Sequence, residues 1–306
     1  LNRLSTVSEA GIQQAEYAYD TNGNRASLTY ANGVVERYTY NKANWITGIS
    51  NQLGDTVISS FDYTYYASGN QKTKTDHTGK ITSYTYDGMG RLTREAESGG
   101  VTVDYTYNAA GNRTGMSVSG TENYNTTYVY DGNNCIRYEV QHNGTTSESV
   151  SYSHDSNGNI ISETVSGGGG STYTYNHFNQ LSTANRAGTF TYYAYNAAGI
   201  RTGKMTGLIR TAFLLDGGNV AAELENGRIT NNYLRGANLI RWTSGMGTGY
   251  YLYNAHGDVV NLTNPAGASY RTYSYDAFGK QKNPDSFDFN PFRYCGEYYD
   301  KESGNY

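Results

Sequence analysis

A short signature recurs along most of this chain: Tyr, any residue, a second Tyr, then Asp or Asn, with Gly three residues further on. Complete or near-complete copies begin at Tyr17, Tyr38, Tyr63, Tyr84, Tyr105, Tyr128, Tyr152, Tyr173 and Tyr193, and again at Tyr251 and Tyr273. Within each run, neighbouring copies start 20 to 25 residues apart. A unit this short cannot bury a core by itself, so the period predicts a repeat protein whose units stack on one another.

Each unit reads as a strand, a turn and a second strand. Tyr alternates with Thr or Ser before the turn, which is the period of a pleated strand and puts both tyrosines on one face. The Asp or Asn can bond its own backbone to open the turn, and Gly supplies a positive φ. The positions expected to act structurally are Tyr17, Tyr19, Asp20, Gly23, Tyr84, Tyr86, Asp87, Gly90, Tyr105, Tyr107, Asn108, Gly111, Tyr273, Tyr275, Asp276 and Gly279. We therefore predict an all-β fold of tandem antiparallel hairpins that form a curved strip.

Departures from the signature keep its turn chemistry. Asn44, Asn134 and Asn179 stand where other units have Gly, and Asn also tolerates the left-handed conformation. His154 replaces the second Tyr of its unit, and we interpret it as a packing variant rather than a ligand.

The composition requires an aromatic core. The 306 residues include Tyr 33 and Gly 37 but only Pro 3, and aliphatic residues are few. Tyrosine buries a large ring while its hydroxyl stays hydrogen-bonded, so Tyr-lined faces can replace an aliphatic interior. A mean hydropathy of -0.69 would suit a disordered chain, but the low charged fraction of 16% and the strict period argue against disorder.

Charge and hydropathy exclude several partners. A net charge of -4 with mixed signs gives no basic stripe, so we expect no nucleic-acid partner. No apolar run is long enough to span a bilayer, and Leu1–Leu4 do not resemble a signal sequence. These first residues match the exit of a repeat turn, which suggests a fragment of a longer array.

The chain divides by its repeat content. Residues 1–205 form a nearly continuous array, and we assign 206–306 to a second region in which the signature first fades and then returns. Four glycines between Ser166 and Ser171 are interpreted as a long hairpin tip rather than a linker, because Tyr173 restarts the repeat in phase. Phe213–Val220 and the residues after it predict two more strands around a turn.

The sequence points to no catalytic, cofactor-binding or metal-binding residues. The histidines are scattered, and His256 with Asp258 is the nearest pair to a dyad, which we interpret as ordering a turn. Cys135 and Cys295 have neither zinc-site nor disulfide spacing, so we interpret them as buried or edge thiols, with a long-range bridge between them as the alternative. We therefore predict a protein that is not an enzyme and needs no cofactor.

Three sequence motifs near the end of the chain resemble those of a known family. They are Tyr251–Val260 with its His-Gly-Asp, Tyr273–Lys280 with Tyr-Asp-Ala-Phe-Gly, and Asn290–Asp300 with Pro-Phe-Arg-Tyr-Cys-Gly-Glu-Tyr-Tyr-Asp. Together with the upstream array, they resemble the Tyr-Asp (YD) repeats and the repeat-associated core of Rhs proteins. This family includes bacterial polymorphic toxins, wall-associated proteins, the Tc toxin C component and teneurins.

The resemblance implies a spiralling hollow β-shell that encloses a C-terminal toxin or effector domain of the same chain. It also implies a secreted or cell-surface protein, and an aspartate-dependent self-cleavage segment beyond the core. This sequence has no Asp-Pro dipeptide, so we assign neither self-cleavage residues nor an effector to residues 1–306.

Two other functions remain as alternatives. Tandem repeats with exposed aromatics also describe cell-surface carbohydrate-binding or adhesion modules, although Trp45 and Trp242 share no repeat position. A structural spacer on a bacterial surface predicts the same fold. A self-cleavage segment and an unrelated domain downstream would favour the toxin shell, and an anchor motif would favour the adhesin.

Overall fold

A computed structural model describes residues 2–306, and within them it confirms the predicted all-β fold. The strands, β1 to β26 in chain order, are Thr6–Glu9, Ile12–Tyr19, Arg25–Tyr30, Val34–Tyr40, Ile46–Leu53, Thr56–Tyr65, Gln71–Asp76, Ile81–Tyr86, Leu92–Glu97, Val101–Tyr107, Arg113–Gly120, Tyr124–Tyr130, Ile136–Asn143, Thr146–His154, Ile160–Val165, Gly170–Tyr175, Leu181–Arg186, Thr189–Tyr195, Arg201–Thr206, Ile209–Asp216, Asn219–Glu225, Arg228–Arg235, Leu239–Ser244, Gly247–Tyr253, Val259–Thr263 and Ser269–Thr272. The helical structure in this part of the chain is one 3-10 turn, Tyr294–Gly296. This turn is far too short to cross a membrane, so the described part of the chain has no helix that could span one.

Contacts group the chain into two compact units. One unit extends to Gly79 and includes Phe213–Tyr306, and the other is Lys80–Ala212. The first therefore joins the beginning of the repeat array to the end of the chain. The division of the sequence at residue 205 follows the fading of the signature and stays a prediction.

The turn after each Tyr-x-Tyr has one repeated geometry. Between β2 and β3, the Gly23 N–H donates to the Asp20 carbonyl at 3.0 Å, and the Asp20 side chain accepts the Asn24 N–H at 2.8 Å. Gly23 has a φ of +89°, which a residue without Cβ adopts freely. The strand pairing shifts by one residue just before Tyr19, so the second tyrosine sits at a β-bulge.

The Asn variants adopt the conformation that the signature requires. Asn44, Asn134 and Asn179 have φ values of 60°, 64° and 58°. Each donates its N–H to the carbonyl of the Asn or Asp three residues earlier, as the glycines do. Asn therefore serves at this position without changing the turn.

In the first unit, the early hairpins pack against strands from the end of the chain. The hydroxyl of Tyr17 accepts the Ala237 N–H at 3.2 Å, and that of Tyr63 accepts the Ala255 N–H at 3.1 Å. One buried cluster joins the two segments and comprises Ala15, Tyr17, Leu28, Tyr30, Val34, Ile240, Tyr250 and Leu252. A second cluster is built from the C-terminal segment alone and comprises Tyr233, Leu239, Tyr251, Tyr253, Val259, Leu262, Tyr273, Tyr275 and Phe292.

The second unit, Lys80–Ala212, has a smaller core. Val103, Tyr105 and Val118 form its buried cluster, on adjacent strands β10 and β11. The glycine run lies at the tip between β15 and β16, where Thr164 pairs with Gly170. The interpretation of this run as a hairpin tip is therefore confirmed.

After β26 the chain is irregular but ordered by isolated bridges. Tyr275 pairs with Gln281, and Phe292 pairs with Tyr298. This segment packs on the C-terminal cluster through Phe292, whose ring meets that of Tyr233 edge to face at 4.9 Å. It also places the turn Tyr294–Gly296 in the first unit, together with the loop between β24 and β25.

Candidate functional site

The second tyrosine of the signature makes a recurring contact with the preceding hairpin. Its hydroxyl donates to a backbone carbonyl 14 to 19 residues earlier, at 2.6 to 3.0 Å. The pairs are Tyr19 with Leu4, Tyr40 with Arg25, Tyr65 with Ile46, Tyr107 with Leu92, Tyr130 with Arg113, Tyr175 with Ile160, Tyr195 with Leu181 and Tyr253 with Leu239. In these units the hydroxyl ties consecutive repeats together, which phenylalanine could not do. The hydroxyl of Tyr275 is an exception, because it is buried without a hydrogen-bond partner among the described residues.

The first tyrosine of the signature supplies the core. It is buried in most units, including those that begin at Tyr17, Tyr105 and Tyr273, and partly buried at Tyr84. The turn positions expected from the sequence share one arrangement: Asp20, Asp87, Asn108 and Asp276 each accept a side-chain bond from the N–H four residues later. Gly90, Gly111 and Gly279 have φ values of 77°, 90° and 89°.

Sequence analysis missed a buried carboxyl in the first unit. Glu36 is 1% exposed, and its side chain is bonded to the hydroxyls of Tyr30 and Tyr38. Burial raises the pKa of Glu36, although the charge of Arg25 opposes this. The signal was present in β4, because Glu36 alternates in phase with buried Val34 and Tyr38.

A comparable group surrounds Glu223 on β21. Its Oε1 accepts the hydroxyls of Tyr233 at 3.2 Å and Tyr298 at 2.8 Å, and its Oε2 accepts the Asn231 amide at 2.9 Å. Tyr298 belongs to the irregular C-terminal segment. The Glu223 side chain therefore anchors that segment to the sheet through a hydrogen bond.

The structure brings together three side chains that could bind a metal or act in catalysis. His256 Nδ1 lies 2.9 Å from Asp258 Oδ1 and 3.6 Å from Cys295 Sγ. Their ligand atoms all lie within 4.8 Å of one another. Asp258 is buried, whereas His256 and Cys295 are exposed, so the cluster opens to solvent on one side.

Asp258 organises this cluster. Its Oδ1 also accepts the Cys295 backbone N–H at 3.0 Å, and its Oδ2 accepts the Asn254 amide at 2.7 Å. Burial opposes ionisation of Asp258, but the bonds from His256, Asn254 and Cys295 outweigh it and lower the pKa. The hydrogen bond between His256 and Asp258 also raises the pKa of His256.

Cys295 has an unusual backbone conformation, with a φ of 51°. A non-glycine residue is uncommon there and is held at a cost. The bond from its N–H to Asp258 holds it, together with a bond from the Gly296 N–H to the Arg293 carbonyl at 3.1 Å. The thiol is thereby fixed beside the imidazole.

The arrangement does not suit a thiol nucleophile. A catalytic relay uses the two ring nitrogens of histidine separately, one toward the nucleophile and one toward the carboxylate. Here Nδ1 faces both Asp258 and Cys295, and Nε2 is 4.0 Å from the sulfur. Burial, Asp258 and Glu297 raise the pKa of the Cys295 thiol, which disfavours the reactive thiolate.

Sequence spacing missed this cluster because Cys295 is 39 residues from His256. The two meet only through the fold, since the Val259 N–H donates to the Arg293 carbonyl at 2.9 Å. The second cysteine, Cys135, is also a free thiol and lies in the Lys80–Ala212 unit.

A cavity of about 270 Å³ adjoins the cluster. Tyr253, Gly257 and Cys295 line one part of it, and Arg235 and Glu297 add opposite charges. Cys295 therefore borders a space with room for water or a small ligand.

Comparison with known proteins shows which family the repeats resemble. A family profile described as RHS Repeat matches residues 19–56, 65–102 and 253–281. The chain is 34% identical over 170 residues to the tRNA3(Ser)-specific nuclease WapA of Bacillus spizizenii, and 32% identical over 170 residues to the tRNA nuclease WapA of Bacillus subtilis. Each match covers 52% of this chain and 7% of the relative.

Solved structures share the fold over almost the whole chain. TcdB2-TccC3-TEV matches with a TM-score of 0.52 and 15% identity, covering 95% of this chain and 19% of that one. TcdB2-TccC3 matches with a TM-score of 0.50 and 15% identity, covering 94% of this chain and 20% of that one. This chain thus spans a small part of the length of each relative.

Proposed function

Since this chain is an Rhs protein built from YD repeats, we propose that it forms part of a hollow shell that encloses a C-terminal effector. The observation that carries the proposal is the fold similarity to TcdB2-TccC3-TEV, which extends over 95% of this chain but only 19% of the larger one. A segment that corresponds to this part of the larger chain would form one section of the shell wall. Neighbouring repeats would complete the enclosure. The parent protein is then a secreted or cell-surface toxin.

The role proposed for residues 1–306 is passive. The tyrosines of the signature are used in the core and in bonds between hairpins, and the turn residues are used in the turns. The shared use of His256 Nδ1 argues against hydrolysis at the cluster with Cys295. In the WapA relatives, the nuclease activity given in their names would then reside outside the region that matches this chain.

Electron microscopy of the complete reading frame that contains this segment tests the proposal. A closed shell with density inside supports encapsulation. An open rod with its tyrosine faces exposed would contradict it and would make glycan-array binding the next experiment.

Limited proteolysis gives a second, biochemical test. The effector in the intact parent should resist protease until the shell is denatured, because enclosed chain is inaccessible. The matched control is the effector expressed without the repeats, which should be cut at once. Equal cleavage rates for the enclosed and the isolated effector would contradict the proposal. The segment 1–306 alone should lack the toxic activity that the effector retains.

A further inference from the structure

We propose that His256, Asp258 and Cys295 form a binding site for Zn²⁺ or a similar thiophilic divalent cation. This inference does not depend on the shell function. It rests on three side chains of different chemistry, from two segments of the chain, that place an imidazole nitrogen, a carboxylate oxygen and a sulfur around one point.

The separation of Cys295 Sγ and His256 Nδ1 suits a tetrahedral ion. With Zn–S near 2.3 Å and Zn–N near 2.0 Å, sulfur and nitrogen ligands of one tetrahedral zinc lie roughly 3.5 Å apart. Cys295 Sγ and His256 Nδ1 are 3.6 Å apart. Nδ1 and Asp258 Oδ1 are 2.9 Å apart, as a hydrogen bond requires. They would separate by roughly half an ångström when the ion replaces that bond.

The hydrogen bonds around Asp258 leave a lone pair for the ion. Asn254 occupies Oδ2 and the Cys295 N–H takes one position on Oδ1. The remaining position on Oδ1 faces His256. When the ion binds, the thiol releases its proton to solvent and the ring proton of His256 lies on Nε2, which leaves Nδ1 free to coordinate. The thiolate and the carboxylate then balance the two positive charges of the ion.

The ligand set selects the kind of cation. Sulfur and imidazole favour zinc and its neighbours in the transition series, whereas Ca²⁺ and Mg²⁺ need several oxygen ligands. Three protein ligands leave a fourth position, and the exposure of His256 and Cys295 places it toward solvent. Water or a ligand in the adjoining cavity could occupy that position.

Cobalt is the probe, because thiolate coordination gives Co²⁺ an intense near-ultraviolet absorption. The 306-residue chain, kept reduced with a phosphine, should bind one Co²⁺ with that absorption, and Zn²⁺ should displace it. Cys295→Ser should abolish the thiolate band. The matched control is Cys135→Ser, which removes the other free thiol and should leave the band and the affinity unchanged.

His256→Gln provides a second variant, since His256 is exposed and its loss should leave the fold intact. We expect its affinity for Co²⁺ to fall by at least about tenfold, in line with the loss of a metal ligand. The proposal is overturned if the unmodified chain shows no thiolate band. It is also overturned if the band survives Cys295→Ser or is lost in Cys135→Ser.

Discussion

The hydroxyl of Tyr30 lies 2.8 Å from the carbonyl oxygen of Tyr251, although the two residues are 221 positions apart. The same hydroxyl lies 2.9 Å from Glu36 Oε2. A phenol has one proton to donate, and both neighbours are acceptors when Glu36 is ionised. Both contacts can be hydrogen bonds only if Glu36 is protonated and donates to the Tyr30 oxygen, which agrees with the raised pKa of this carboxyl.

Glu36→Gln should therefore preserve the fold and remove the pH dependence that Glu36 gives to the stability of the protein. The Gln amide can donate to Tyr30 while its oxygen accepts from Tyr38. In the unsubstituted protein the folded pKa of Glu36 is raised, so its contribution to stability is full below the unfolded value of 4.5 and is lost as pH rises through the folded pKa. The stability of the Gln variant relative to the unsubstituted protein should thus increase as the pH rises from 4.5 through the folded pKa of Glu36.

Urea unfolding at several pH values measures this difference. Glu36→Leu is the control, because it leaves the buried Tyr38 hydroxyl without its acceptor and should lose about 1–3 kcal/mol. A relative stability of Glu36→Gln that falls as pH rises would show that the carboxyl is ionised in the fold.

The bond between consecutive hairpins predicts a cost for removing a single hydroxyl. Tyr107→Phe deletes the bond from Tyr107 to the Leu92 carbonyl and should destabilise the protein by about 1 kcal/mol. Tyr192→Phe is the matched control, since Tyr192 is 50% exposed in the same unit and should tolerate the change. Thermal unfolding of both variants gives the comparison, and equal melting temperatures would remove the proposed role of the second tyrosine.

The turn carboxylate should be replaceable by its amide. The Asp87 side chain accepts the N–H groups of Met89 and Arg91, and Asn108 accepts the equivalent Asn112 N–H in the next repeat. Asp87→Asn should therefore keep the turn, whereas Asp87→Ala should destabilise it.

Asp87→Asn and the unsubstituted protein should also differ in their response to acid. Backbone bonding from Arg91 lowers the pKa of Asp87, so its contribution is present above the unfolded value of 3.8 and is lost as pH falls through the folded pKa. Asp87→Asn should lack this loss. Circular dichroism during acid titration tests it, and identical acid transitions for the Asn variant and the unsubstituted protein would contradict it.

The hairpins were predictable because their signals are local. A turn such as Asp20 to Asn24 depends on residues within five positions, and the alternation around Tyr17 fixes which face is buried. The bond from Tyr107 to Leu92 was not predictable in the same way, since it depends on the stagger between neighbouring hairpins. The hydrogen bond from Tyr30 to the Tyr251 carbonyl required knowledge of how distant segments meet.

The candidate site was even harder to predict from the sequence than the contacts between distant strands. Sequence placed His256 and Asp258 in one turn and interpreted them as structural, and the bonds of Asp258 do order that turn. Cys295 joins them only because the irregular C-terminal segment returns to this loop. No periodic pattern covers that segment, so residue spacing could not place its thiol.

The glycine of the turn provides the sharpest test of the repeat itself. A Cβ on Gly111 would meet no atom within 4 Å, so any cost of substitution comes from its φ of +90° rather than from a clash. Gly111→Asn should be tolerated best, as Asn44, Asn134 and Asn179 show. Gly111→Val should cost about 1–2 kcal/mol or more, because a β-branched residue resists this region.

Gly88→Ala is the matched control for these variants, since Gly88 also has open space around it but does not have a positive φ. Its stability should match that of the unsubstituted protein. Replacing His256 with Ala should likewise cost less than Gly111→Val, because His256 is exposed. Equal melting temperatures for Gly111→Val, Gly88→Ala and His256→Ala would mean that the left-handed turn residue does not constrain the hairpin.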